Sequence, residues 1–120
     1  MNDREHRSAA EDEPLPVSVF DELSERQIHA LADPHARATL RYLDEHHETT
    51  LADVADVVTG SEAAATGSIS GRSRRRANLV RLHHQTLPQL ADCGLLRYDA
   101  DDHTVAAAGI PNAVAALLER

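Results

Sequence analysis

The chain has 120 residues, with 20 acidic side chains against 12 basic ones and a formal net charge of −8. That length supports one small domain with a single modest core and leaves little room for a rich catalytic architecture. With two Tyr, one Phe and no Trp, the core must come from Leu, Val, Ile and Ala, which favours helices. A single cysteine, Cys93, excludes an intrachain disulfide and any C-x-x-C metal or redox motif.

All 12 basic residues are arginines; lysine is absent. An acid-rich, lysine-free, alanine-rich chain has the composition of a protein from a salt-loving archaeon, where a dense acidic surface keeps the chain soluble and salt screens its self-repulsion. An ordinary acidic protein rarely lacks lysine over this length. The polar start MNDREHRSAAEDEP does not resemble a signal peptide, and no apolar run approaches the roughly 18 residues of a membrane span. A cytoplasmic protein without membrane association is expected.

Residues 1–16 carry charges of both signs and two prolines without apolar periodicity, which predicts a mobile acidic tail. Val17, Val19, Phe20 and Leu23 follow as a short apolar segment. Ser24 and Gln27 then form an S-x-x-Q capping box that starts a helical turn through Ile28 and Leu31. Asp33-Pro34 opens the first main helix, an N-cap side chain followed by proline at the first helical position, with Ala36, Leu40 and Leu43 at helical spacing up to His47. Thr50 and Asp53 make a further capping box. Leu51, Val54, Ala55 and Val58 share one face of a short helix ending near Gly60.

The stretch GSEAAATGSISG, residues 60–71, predicts a loop longer than the usual connection. Beyond it, Leu79, Leu82, His83, Leu87 and Leu90 form a helical stripe whose phase survives Pro88, which predicts one kinked helix capped by Gly94. LLRYDADDHTVAA predicts a hairpin: a strand over Leu95–Tyr98, an acidic turn at Asp99–Asp102, and a strand over His103–Ala107. GIPNAVAALLER predicts a final helix from Pro111 with Val114, Leu117 and Leu118 on one face.

Helix, helix, longer helix and β-hairpin is the order of a winged helix-turn-helix, here over residues 17–108 with an extra helix at each end, the last over 109–120. The residues themselves carry a resemblance. LADPHARATLRYLDEHHETTLADVADVV looks like the opening of arsenic-repressor-type winged-helix regulators, and LHHQTLPQLADCGLLRYD resembles the helix-to-wing junction of a haloarchaeal winged-helix family of unassigned function. Together they cover about residues 20–105. The resemblance implies a DNA-binding transcriptional regulator whose third helix enters the major groove while the hairpin wing touches the flanking backbone.

Residues 72–81 hold five arginines and no acid. On the plan the resemblance implies, Arg72, Arg74, Arg75 and Arg76 lie at the N-terminal approach to the third helix and hold phosphates. Val80, Arg81, His84 and Gln85 face the groove, where Gln85 pairs with adenine and Arg81 with guanine. Arg97, His103 and Thr104 are the wing positions. The departure from the family plan is the Gly/Ser/Ala stretch before the third helix, which can shift those groove-facing positions by a turn.

Other readings of the same residues stay open. A charge run is often only a solvated face, and a winged helix can serve as a protein-interaction module whose arginines meet an acidic partner. His46-His47, His83-His84 and Cys93 invite metal sensing, but their spacings do not make a tetrahedral site, and no cofactor is expected. Enzymatic motifs are absent: GSISG has Ile69 where a nucleophile elbow needs serine. An apolar face on the last helix, together with Val19, Phe20 and Leu23, predicts a two-fold homodimer built from the terminal segments.

Overall fold

The computed structural model describes residues 23–67 and 71–118. The tail expected over 1–16 and the apolar Val17, Val19 and Phe20 lie outside the described residues, as does the centre of GSISG.

Helix α1, Glu25–Leu31, begins with both halves of the capping box. The Gln27 amide donates to Ser24 Oγ and the Ser24 amide to Gln27 Oε1, each at 3.0 Å. Helix α2, Pro34–His46, follows at once, Asp33 accepting the His35 amide at 2.9 Å with Pro34 in the first turn. Arg37 fixes the corner between them by donating to the Leu31 carbonyl at 2.8 Å.

A short strand β1, Glu48–Thr50, leads into α3, Leu51–Thr66. Thr50 caps α3 by accepting the Asp53 amide at 3.1 Å, but the reciprocal half of the expected box is missing. Asp53 is one methylene shorter than the Glu of a full box, and its carboxylate instead accepts from Thr49 Oγ1 at 3.4 Å. The larger difference is at the far end. The helix runs straight through Gly60 and closes at Gly67, which takes the left-handed conformation at φ 69°. Most of the expected loop is therefore helix, because Ala63, Ala64 and Ala65 are the strongest helix formers available and the added turn packs against the next helix.

Helix α4, Arg72–Arg81, continues through a π turn, Leu82–Thr86, into α5, Leu87–Asp92. The π turn explains how the chain absorbs Pro88. The Leu87 amide reaches back five residues to the Leu82 carbonyl, so the ladder is already widened where proline has no N–H to offer. The apolar stripe survives, with Leu82, Leu87 and Leu90 all fully buried. The end is a Schellman motif: the amide of Leu95 donates to the Leu90 carbonyl at 2.9 Å and that of Gly94 to Ala91 at 3.0 Å, with Gly94 at φ 79°.

Strands β2, Leu96–Asp99, and β3, Thr104–Ala107, form the expected hairpin. β1 joins the free edge of β3 antiparallel, pairing Thr49 with Val105, so the sheet order is β1-β3-β2. The chain ends its described part with α6, Asn112–Leu118. This is a winged helix: mostly helical, with a small three-stranded antiparallel sheet, and α1 and α6 as the extra helices. Among the described residues no helix is long and apolar enough to cross a membrane.

The core is aliphatic. Leu40, Leu43, Val54, Val58, Leu95, Val105 and Val114 are fully buried beside the leucines of the third helix, each leucine contributing about 2 kcal/mol by removal from water. The face of α6 expected to be free for a second copy is mostly enclosed by its own domain: Val114 is 0% and Leu118 9% exposed, and Leu117 packs on the same core. Arg41 donates to the Leu118 carbonyl at 2.9 Å and holds that helix down. With its apolar side spent on its own core, α6 leaves little such surface for a second copy.

Candidate nucleic-acid interface

Helix α4 presents two different sides. On the inner side Asn78, only 2% exposed, donates to Thr59 Oγ1 at 3.0 Å and to Glu62 Oε1 at 3.2 Å. Arg74 forks onto the Glu62 carboxylate, Nε to Oε1 at 2.7 Å. Arg75 reaches the Asp56 carboxylate and the Ala52 carbonyl. Arg81 turns to the start of α2, donating to Asp33 Oδ2 at 3.0 Å.

Buried His35 links these pairs. Its Nε2 lies 3.0 Å from Glu62 Oε2 and its Nδ1 3.2 Å from Arg81 Nη1. A guanidinium can only donate, so Nδ1 accepts and Nε2 carries the proton it gives to Glu62. The Arg74 hydrogen bond, aided by Asn78 and His35 and opposed by burial, holds the Glu62 carboxyl well below the usual carboxylate range. Glu62 in turn raises the Arg74 guanidinium.

Three of the six arginines expected at DNA, Arg74, Arg75 and Arg81, therefore already have carboxylate partners inside the domain. For Arg74 the extension of α3 is the cause, since it carries Glu62 to that arginine, and no sequence spacing announces a pair twelve residues apart. The expected base readers also sit differently. Arg81 and Gln85 line a cleft of about 410 Å³ with His29, Asp33 and Gln89, on the side of the helix that faces α1 and α2.

The outer side is a separate strip. Ser73, Arg76, Ala77, Val80 and His84 recur at i, i+3, i+4, i+7 and i+11 and are all exposed, as is Arg72. Arg72 and Arg76 have no acidic partner among the described residues. In a chain with 20 acids, none lies between Glu62 and Asp92. The strip continues towards the wing through edge-to-face rings: His83 meets His84 with centroids 4.7 Å apart and His103 at 5.3 Å, and its Nδ1 lies 2.6 Å from the Tyr98 hydroxyl. Burial raises the Tyr98 hydroxyl above its ordinary value. Among the described residues no three His, Cys, Asp or Glu groups converge in a metal-holding arrangement.

The wing is divided. Arg97 and His103 are exposed, while Thr104 is half-buried in the sheet. The turn itself is anionic, with Asp99 accepting the amides of Asp101 and Asp102 at 3.0 and 3.1 Å. Three carboxylates at the tip repel phosphate, so only the base of the wing remains suited to a nucleic-acid backbone.

Neither a curated protein nor a solved structure matches the chain. A family model, described as a domain of unknown function (DUF7344), matches residues 28–106. That range runs from within α1 to the last strand, taking in both sides of α4 and the wing, and the chain belongs to this DUF7344 family.

Proposed function

We propose that this DUF7344 chain is a DNA-binding transcriptional regulator of a halophilic archaeon, similar to arsenic-repressor-type winged-helix regulators, that lays the outer strip of α4 in the major groove of duplex DNA. The observation that carries this reading is the acid-free outer strip, where Arg72 and Arg76 have no acidic partner among the described residues, on the helix that a winged-helix scaffold offers to the groove. Arg97 on β2 and His103, the last residue of the wing turn, flank it and meet the backbone.

The inner arginines then position the helix rather than the DNA. A second reading, a module that binds a protein, is favoured by one feature: the wing tip carries Asp99, Asp101 and Asp102 where a phosphate-binding wing would be basic.

Selection from a random duplex library in molar KCl separates the two readings. Recovery of a motif, with affinity falling as salt rises, is the expected result. A palindromic motif reports a two-fold dimer. Absence of duplex binding from low salt upward sinks the regulator reading. The lysine-free acidic composition carries its own expectation: the melting temperature rises as KCl approaches molar levels, because salt screens the −8 net charge. An unchanged melting temperature removes the halophile.

A further inference from the structure

We infer that Arg76 and Val80 are the residues that set sequence preference, Arg76 reading a guanine and Val80, with Ala77 beside it, the methyl group of a thymine about two base-pair steps away. This rests on the DNA-binding reading above and deepens it.

Val80 is 50% exposed, and Ile28 is the one other exposed large apolar side chain among the described residues. The fold does not use it. The inner side of α4 is filled by Asn78 and Leu79, and an exposed β-branched residue is slightly unfavourable in a helix. Its neighbours on the strip are Arg76 one turn before it and His84 one turn after. Among the described residues no carboxylate occupies the fork of Arg76, which suits the O6 and N7 acceptors of guanine.

Thymine alone among the four bases presents a methyl in the major groove. Four helical residues advance about 6 Å and stacked bases about 3.4 Å, so side chains at i and i+4 address bases about two steps apart. An apolar contact also suits a protein working in high salt, where screening weakens phosphate attraction but leaves a buried methyl untouched.

The test uses the duplexes recovered by selection with the full-length chain. Each thymidine is replaced in turn by deoxyuridine, which deletes only the methyl, and affinity is measured for the parent, Val80→Ala and Arg76→Gln. One uracil position is expected to weaken the parent about fourfold, the value of one buried methyl. Val80→Ala then binds the thymine and uracil duplexes equally, and Arg76→Gln loses preference for the guanine two steps away.

A parent indifferent to uracil at every position overturns this assignment while leaving DNA binding in place. So does a Val80→Ala variant that keeps the methyl sensitivity. A parent that recovers no duplex overturns both. The uracil series on the parent needs no variant to fold.

Discussion

The inner and outer sides of α4 use the same residue for different ends. Arg74, Arg75 and Arg81 each close on a carboxylate of α3 or of the α2 N-cap; Arg72 and Arg76, in the same ten-residue segment, close on none among the described residues. Neighbours along a helix point in different directions, so a run of like charges is divided among the faces that each residue happens to share. What such a run means electrostatically depends on what lies across from each member.

The widest separation between the two sides is expected in binding. Replacing Arg72 and Arg76 together by Ala removes the unpaired cations, costs roughly 1–3 kcal/mol for the base contact of Arg76 and flattens the log–log salt dependence by about 0.9 for a phosphate lost with Arg72. The melting temperature stays near that of the parent. Replacing Arg74 and Arg75 by Ala does the reverse, lowering the melting temperature and leaving the salt slope unchanged for the folded fraction. Anisotropy titrations at several salt concentrations, beside thermal melts, read both. Identical salt slopes for the two double variants would erase the distinction.

Glu62 is the centre of the inner side, and Glu62→Gln is expected to lower stability by roughly 2 kcal/mol, in the range of hydrogen bonds to charged groups. The pH dependence follows from its depressed folded-state pKa. The contribution is fully present above the unfolded carboxylate value of about 4.3 and disappears as pH falls towards the lower folded value. Urea midpoints measured from pH 7 down to 3 should therefore drop more steeply for the parent than for Glu62→Gln. Parallel curves would mean that Glu62 is not held by Arg74.

Much of the fold is written in local signals. Ser24, Asp33 and Thr50 start helices where their side chains can cap them, Gly94 stops one, and the leucine stripe keeps its phase across Pro88. What escaped depended on distant partners. β1 is three residues long and exists because β3 offers a free edge. The extension of α3 turns on whether Gly60 is outweighed by the alanines after Glu62, and that choice sets the fate of Arg74. The candidate site was legible as a helix and a charge run, but its facing was not. Only the placement of Glu62, Asp56 and Asp33 shows that Arg74, Arg75 and Arg81 turn inward, leaving Val80 with Arg76 rather than Arg81 with Gln85 on the open strip.

Gly60→Ala is the smallest expected effect and the one that bears most directly on this facing. Gly60 is exposed in the interior of α3, with no positive φ and no atom within 4 Å of the position a methyl carbon would take. Alanine there removes unfolded-chain freedom without a clash, so stability should rise by about 0.5–1 kcal/mol. DNA affinity should not change, because the substitution stiffens the segment that brings Glu62 to Arg74 and touches no residue of the outer strip. A loss of stability would mean that residues 60–66 are not helical. Glu62 would then no longer be carried to Arg74, that arginine would return to the pool available for phosphate, and the division of α4 into two sides would move with it.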